Sequence, residues 1–345
     1  MFSADDGRTG ECIRPHFFRK VASEPLGNLS YAKVSKLPDQ AGSREVKLIT
    51  RRELLIGAAS LAAAMPAAKY AAASPAPKRL KSISLHLFQV TPADAAETCR
   101  GALAIGFREM EATYKEYQAC SSQIGPSPLK KVSIEAQGTE GLFAPGKEDA
   151  LNRIFEDVSK WGFPYIGVNH SGREIDDELK GKGYLDRFRI FAERFNRAGE
   201  RARAAGIKKL LYHNAPEGFE PSGGTFGHQI VWDALDRNNC GIQMDIFWFK
   251  QAGLDPVAFL KQFSGRVPAI HMKDIPPGMP VAYTHPAPEA VLDIGSGIMD
   301  WPAILRAAEA AGVEHYSVEP PDVKNGAELL VHAKKSYDYL SKLEF

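Results

Sequence analysis

From residue 81 to the carboxyl terminus, short apolar or β-branched runs alternate with longer segments in which apolar residues recur at helical spacing. The short runs predict strands and the longer segments predict helices, because side chains repeat every second residue in a strand and every ~3.6 residues in a helix. The predicted strands are 82–89, 108–113, 131–136, 165–170, 209–213, 241–245, 269–272 and 316–319. The predicted helices are 92–105, 147–160, 185–205, 226–235, 256–263, 302–311 and 327–342.

This alternation favours an α/β fold of the (β/α)8 TIM barrel type over a doubly wound sheet, because its length of roughly 265 residues is close to the ~250 typical of the barrel. The second unit is the weakest, since EYQACSSQIGPSPLKK, at 116–131, shows no convincing helix. GSG at 295–297 is too short for a phosphate loop. We interpret it as a turn before the helix that Asp300, Trp301 and Pro302 begin.

The chain before the barrel domain, predicted at 79–345, has a different pattern. Residues 1–49 show no sustained apolar period, which predicts a disordered extension or a stretch upstream of the true start. Residues 50–78 carry Arg51 and Arg52, an alanine-rich apolar run too short to span a bilayer, and an A-x-A cleavage pattern at 71–73. This segment resembles a twin-arginine (Tat) signal, which implies the Tat machinery as a partner and a periplasmic or otherwise exported protein. An alanine-rich amphipathic helix is the alternative.

Charge and cysteine content narrow the function classes. The formal net charge is +1, so no global basic field argues for a nucleic-acid partner. The four cysteines, Cys12, Cys99, Cys120 and Cys240, form no CxxC pair. They therefore indicate buried thiols rather than a zinc knuckle or a disulfide framework.

Polar residues end the last four predicted strands. They are His213, Asp245, His271 and Glu319, and each follows apolar residues. Active sites of this architecture form where the carboxyl ends of the strands meet, so we expect the four side chains to converge there. A divalent cation would compensate the cost of burying them, and the mixed donors suit Mn, Zn, Co or Fe better than Mg. Taken singly, each residue has a structural alternative, such as a helix cap or a pairing with a lysine.

Five motifs in the second half of the chain also have a recognisable order and spacing. They are YHNAPEGFEP, MDIFWFKQAGLDPVAFL, SGRVPAIHMKD, IGSGIMDWPAIL and AGVEHYSVEP. Together they resemble the sugar phosphate isomerase/epimerase superfamily of xylose isomerase-like barrels, over about residues 82–342 and most strongly from residue 187 onward. The resemblance implies that the four strand-end residues hold the metal.

The chain departs from the superfamily pattern after the fifth strand. Many members read HNHDFEF where this chain reads HNAPEGF, so Ala215 replaces a histidine and the carboxylates move to Glu217 and Glu220. His213 stands where the epimerases have a glutamate. That glutamate is the second acid or base of the epimerases, so its counterpart in this chain is not fixed by the sequence.

The resemblance also implies roles in catalysis. A cation that chelates a carbonyl and a neighbouring hydroxyl acidifies the C–H between them and stabilises an enediolate, with Glu319 as the base. Lys273 lies on the same face as His271 and could protonate a departing oxygen or stabilise the enediolate. Alternatively, it pairs with Asp274 or Asp245. The predicted substrate-binding residues are His86, Glu111, His170, Trp248 and Glu217.

The leading hypothesis is a metal-dependent isomerase or epimerase. The substrate is expected to be a non-phosphorylated sugar or keto-sugar, because sugar phosphates are scarce outside the cytoplasm. A carbon–oxygen lyase acting on a 3-keto-glycoside or inosose-like substrate is the close alternative. From another class, a non-catalytic sugar-binding barrel also fits. A homo-oligomer is compatible with the sequence, which does not fix the subunit count.

Overall fold

The computed structural model of the protein describes residues 77–137, 140–170 and 178–345. Its strands are β1 (Ser84–Leu87), β2 (Glu109–Thr113), β3 (Lys130–Glu135), β4 (Tyr165–His170), β5 (Lys209–Asn214), β6 (Cys240–Asp245), β7 (Ala269–Met272) and β8 (His315–Val318). All neighbouring pairs are parallel, each strand pairs with the next, and β8 pairs with β1 to close the barrel. The predicted TIM barrel is therefore confirmed.

Helices follow the strands along the chain. They are α1 (Ala95–Ile105), α2 (Tyr114–Ile124), α3 (Glu148–Trp161), α4 (Tyr184–Ala204), α5 (Gly227–Ala234), α6 (Ile246–Gln251), α7 (Pro256–Gln262), α8 (Trp301–Ala310) and α9 (Gly326–Leu340). Helix α6 begins directly after β6 because the Asp245 carboxylate accepts a hydrogen bond from Phe247 N at 3.0 Å. The site residue Asp245 thus also fixes the start of a helix.

Helix α2 corrects the sequence prediction, which found no convincing helix in the second unit. Thr113 Oγ1 accepts a hydrogen bond from Glu116 N, and the helix buries Tyr117, Cys120 and Ile124. These residues recur at the three- and four-residue spacing of one helical face, so the short helix packs against the barrel despite many small and polar residues. A local cap and a narrow apolar face outweigh the low apolar content.

The barrel interior is unusually polar for this architecture. TIM barrels commonly fill the interior with branched apolar side chains. Here Tyr165, Leu211 and Ala269 form a small apolar cluster separate from the main core, which lies between the barrel and its helices. Buried polar side chains that alternate along the strands occupy much of the remaining interior, among them Glu111, Ser133, Gln243, His271 and Ser317. These buried polar residues lie next to the group of polar side chains at the carboxyl ends of the strands.

The loop after β7 is anchored by the fully buried Asp274. Its Oδ1 accepts hydrogen bonds from Ile275 N and Met299 N, and its Oδ2 accepts from Gly295 N and Trp301 Nε1. A Cβ at Gly297 would lie 2.3 Å from Asp274 Oδ1, so only glycine lets the GSG turn approach this closely. The turn leads into α8, which Asp300 caps, and the interpretation of GSG as a structural turn is supported.

Other predictions concern the ends of the chain and the thiols. The predicted extension at 1–49 and the twin-arginine segment up to residue 76 lie outside the described residues, so both stay predictions. Cys99, Cys120 and Cys240 are free and buried. In the described ranges, none of the helices is long and apolar enough to span a bilayer.

Candidate metal centre

Four side chains converge at the mouth of the barrel. His213 and His271 lie on β5 and β7, Asp245 ends β6, and Glu319 directly follows β8. One ligand atom from each residue lies within 4.8 Å of the others. Asp245 and His271 are fully buried, whereas the Glu319 side chain is 19% exposed. The four groups come together because the carboxyl ends of neighbouring parallel strands meet at one face of the barrel. At this face Asp245 on β6 is in register with His271 on β7.

The distances between these atoms suit a divalent cation. His213 Nε2 lies 3.2 Å from His271 Nδ1, His271 Nδ1 lies 2.8 Å from Glu319 Oε2, and His213 Nε2 lies 3.8 Å from Asp245 Oδ2. Metal–nitrogen bonds of about 2.0–2.1 Å at a tetrahedral angle place two ligand atoms about 3.4 Å apart. Burial lowers the pKa of His213 well below its ordinary value, so a lone pair is available for a metal. Burial would also lower the pKa of His271, but Glu111 and Glu319 raise it above its ordinary value, so a metal would displace the proton of Nδ1. The residues present therefore fit the metal.

Glu111 supports the centre from inside the barrel. Its Oε2 accepts hydrogen bonds from His271 Nε2 at 3.0 Å and from Ser317 Oγ at 2.8 Å, and its Oε1 accepts from Gln243 Nε2 at 2.6 Å. Burial alone would raise the pKa of Glu111, but His271 holds it well below its ordinary value. An ionised Glu111 orients the imidazole so that Nδ1 faces the centre, as carboxylates behind metal-ligating histidines do.

Gly167 on β4 provides the space for this network. A Cβ at this position would lie 2.0 Å from Gln243 Oε1, because the Gln243 side chain crosses the barrel interior toward Glu111. The absence of a side chain on β4 at this level therefore allows β6 to reach β2. Glycine is required here because of the space that Gln243 occupies, and not because of an unusual backbone conformation.

We expect Glu111→Gln to weaken divalent-metal binding by about 10–100-fold, the usual cost of losing such a partner. The amide oxygen can still accept from His271 Nε2–H, but the negative charge that makes the imidazole a stronger metal ligand is lost. The measurement is calorimetric titration with Zn²⁺. Glu109→Gln is the matched control, because Glu109 is also a buried carboxylate on β2 that binds a histidine, His315 Nδ1 at 3.1 Å, at a position away from the centre. Equal affinities of the two variants would contradict the role of Glu111.

Lys273 lies beside the centre rather than against Asp274. Its Nζ is 2.9 Å from Asp245 Oδ2 and 2.7 Å from Glu319 Oε1, and it lies 5.0 Å from the centroid of the Trp248 ring. Of the two structural pairings considered from the sequence, the structure shows the one with Asp245. Burial would lower the pKa of Lys273, but the two carboxylates raise it above its ordinary value. Lys273 therefore retains its proton.

A cavity of about 240 Å³ opens over the centre. Its lining includes His213, Lys273 and Glu319 from the centre, together with Trp248 and His285. The volume is below the ~300–1,000 Å³ of pockets for drug-sized ligands, so it suits a small molecule.

A sequence profile of the xylose isomerase-like TIM barrel family matches residues 149–342. The chain belongs to this family. Among solved structures, a sugar phosphate isomerase/epimerase from Parabacteroides distasonis ATCC 8503 is 18% identical with a TM-score of 0.61, and the match covers 76% of this chain and 99% of that one. No curated protein sequence matches the chain.

Two further solved structures share the fold. The 3-keto-D-glucoside 4-epimerase from E. coli is 15% identical with a TM-score of 0.54, and the match covers 77% of this chain and all of that one (100%). The IOLI protein, solved with a bound zinc atom, is 14% identical with a TM-score of 0.53, and the match covers 75% and 98% of the two chains. At these identities the likeness shows the family fold.

The remaining residues of the predicted site differ in their access to the cavity. Trp248 lines it, and Glu217 lies at its edge, with Oε1 3.9 Å from the Nε2 of the lining residue His285. His86 is 1% exposed and Glu111 is fully buried, and neither lines the cavity. We therefore interpret both as supporting residues rather than sugar ligands. The His170 side chain lies outside the described part of the structure, so its role stays a prediction.

Glu135 and Asn169 also line the cavity, although neither is among the site residues predicted from the sequence. Glu135 is the last residue of β3 and Asn169 lies near the end of β4. The signal for Glu135 was present, because it is a charged residue at the end of a predicted strand. However, no metal-ligand motif lies near Glu135 in the sequence.

Proposed function

We propose that the protein is a divalent-metal-dependent isomerase or epimerase that acts on a non-phosphorylated sugar or keto-sugar. The convergence of His213, Asp245, His271 and Glu319 carries this proposal, together with the small cavity that His213 and Glu319 line. A divalent cation held by these residues would polarise a sugar carbonyl and its neighbouring hydroxyl, which makes the C–H between them acidic.

Glu319 is the base in this proposal. Burial would raise its pKa, but Lys273 and His271 hold the pKa well below its ordinary value, so the carboxylate is ionised. Its two oxygens have different neighbours, since Oε2 faces His271 and Oε1 faces Lys273. One oxygen can therefore serve the cation while the other takes a proton from the substrate. Lys273 keeps its own proton and stabilises negative charge that develops on the sugar oxygen.

The lining of the cavity favours a neutral substrate. Three carboxyl side chains, Glu135, Glu319 and Asp322, line it, and within the described ranges no arginine does. Lys273 already forms ion pairs with the carboxylates of Asp245 and Glu319. The ionised carboxylate of Glu319 and the absence of an arginine from the described lining disfavour a phosphate group, whereas Trp248 offers an aromatic face of the kind on which sugar rings pack. The predicted export of the protein, which we retain as part of the proposal, leads to the same substrate class.

A carbon–oxygen lyase is the second candidate. The position of Lys273 favours it, because an ammonium group 2.7 Å from the proposed base would stabilise negative charge on a departing oxygen. Both candidates begin with the same removal of a proton by Glu319. They differ in whether an oxygen group then leaves.

Incubation of the Mn²⁺-loaded protein with neutral sugars and keto-sugars in deuterium oxide tests the proposal. We expect deuterium to enter a sugar carbon without loss of an oxygen group, and Glu319→Gln to slow this exchange by about 10²–10⁴-fold. An unsaturated or cleaved product would instead identify the lyase. The readout is mass spectrometry and NMR of the recovered sugar.

Glu314→Gln is the matched control. Glu314 directly precedes β8, as Glu319 directly follows it, and its carboxylate binds Lys208 at the opposite end of the strand. This variant should exchange like the wild type. Exchange at the wild-type rate by Glu319→Gln would overturn the role of the base. Sugar binding without exchange on any substrate would identify a non-catalytic sugar-binding barrel.

A further inference from the structure

Glu135 faces the metal centre from the opposite wall of the barrel. It ends β3, which is four strands from β7 and three from β8 in the closed ring of eight. Its side chain is almost fully buried, at 3% exposure, yet it lines the same cavity as Glu319 and Lys273. A substrate in this cavity therefore lies between two carboxyl groups that approach it from different walls.

The surroundings of Glu135 differ from those of the other carboxylates in the barrel interior. Glu111 accepts three hydrogen bonds, and Glu109 binds both His315 and Lys130. Within the described residues, the ion-pair contact of Glu135 is with His86, whose Nε2 lies 3.4 Å from Oε2. Burial lowers the pKa of His86, so the imidazole is neutral and supplies no countercharge.

Burial without a countercharge favours the protonated form of Glu135. Desolvation is the largest cause that raises its pKa, to about 8. The charged groups around Glu135 have opposing effects on its pKa, and these effects partly cancel. His271 and Lys273 lower the pKa, while Glu319 and Glu111 raise it. Glu319 thus lines the cavity as an ionised carboxylate and Glu135 as a protonated carboxyl group, an arrangement that separates a base from an acid.

We propose that Glu135 is the second acid–base residue, which donates a proton to the substrate on the face opposite to Glu319. This inference rests on the proposed function. Glu319 takes the proton from the substrate C–H, and the electron pair of that bond moves toward the carbonyl oxygen. The pair then returns to the carbon and forms a new C–H bond with the proton of Glu135. The configuration is inverted, and the two carboxyl groups return to their starting protonation through exchange with water.

Other groups at the cavity floor are less suited to this step. Lys273 is held by Asp245 and Glu319, which raise its pKa, so it donates a proton poorly. His213 belongs to the proposed ligand set. Glu135 therefore takes the place of the strand-five glutamate that His213 replaces in this chain.

The first experiment compares inversion with exchange in deuterium oxide. In Glu135→Gln, we expect inverted product to fall by about 10²–10⁴-fold, whereas the starting sugar still acquires deuterium through Glu319. Inversion within threefold of the wild-type rate, or an equal loss of inversion and exchange, would overturn the proposal. Glu116→Gln is the control, because burial also raises the pKa of Glu116 but its carboxylate binds Thr113 outside the cavity.

The second experiment needs no substrate and separates this inference from the proposed function. Infrared titration of the Zn²⁺-loaded protein should show the band of a protonated carboxyl group that disappears as the pH rises, because burial raises the pKa of Glu135. Glu135→Gln should lose this band, and Glu116→Gln should retain it. A wild-type spectrum identical to that of Glu135→Gln would refute the proposal that Glu135 is a protonated acid. The absence of deuterium exchange in the wild type would refute the proposed function alone.

Discussion

Asp245→Asn is expected to lose stoichiometric binding of a divalent metal, and with it the proposed exchange activity. The variant keeps the size of the side chain, and its amide oxygen can still accept the hydrogen bond from Phe247 N that begins α6. It loses the negative charge that faces Lys273 and would face the cation. Because the charge is removed from a fully buried position, the loss of affinity should exceed the roughly 100-fold typical of an outer partner.

The measurement is metal content after dialysis against Zn²⁺, together with calorimetric titration. Asp255→Asn is the matched control, because Asp255 likewise begins a helix, α7, by accepting a hydrogen bond from the backbone N–H two residues later, at Val257. It lies outside the ligand set. We expect this variant to bind one metal ion per chain, as the wild type should.

A circular dichroism spectrum and melting temperature near those of the wild type will show that Asp245→Asn has folded. If the folded variant binds Zn²⁺ as tightly as the wild type, the four-residue centre is incorrect. If it fails to fold, Glu319→Gln provides the same test of metal affinity, because Glu319 is the most exposed of the four residues and caps no helix.

The barrel itself could be predicted from the sequence because its signals are local. Short apolar or β-branched runs and helical repeats alternate along the chain, and this alternation indicates the strands and helices together. The convergence of His213, Asp245, His271 and Glu319 also follows from local information, since the carboxyl ends of parallel barrel strands meet at one face. The resemblance to a known superfamily added the expected metal.

The supporting residues could not be assigned because their roles depend on neighbours across the barrel. Glu111 has the same sequence signal as a sugar ligand, but it binds His271, which lies 160 positions further along the chain. The role of Glu135 depends on the scarcity of partners around it, which no local pattern records. Helix α2 was missed for a related reason, since its stability comes from packing Tyr117, Cys120 and Ile124 against the barrel.

Asp274→Ala is expected to lower the free energy of unfolding by about 3–5 kcal/mol, because several buried donors lose their acceptor at once. Four donors lose their acceptor: the backbone N–H groups of three residues in the loop and GSG turn, and the indole N–H of Trp301. The donors on Ile275, Met299 and Trp301 are buried and become unsatisfied, which typically costs about 1–3 kcal/mol each before relaxation. The measurement is equilibrium unfolding in urea.

Asp274→Asn should not rescue the stability. An amide oxygen in place of Oδ1 can still accept from Ile275 N and Met299 N, but the amide nitrogen then faces Gly295 N and Trp301 Nε1, which are also donors. If the amide is flipped, its nitrogen instead faces the donors Ile275 N and Met299 N, so two contacts are still lost. Both variants are therefore expected to be destabilised, with asparagine losing about half of the acceptor contacts and gaining a repulsive one.

Asp300→Ala is the control for the loss of an aspartate in the same region. Asp300 is exposed and accepts one hydrogen bond, from Ala303 N at the start of α8, so its loss should cost about 1 kcal/mol. A loss of stability in Asp274→Ala no larger than in Asp300→Ala would show that Asp274 does not anchor the loop. A larger loss means that the aspartate of the HMKD motif holds the backbone that carries Lys273, so Lys273 can stay between Asp245 and Glu319.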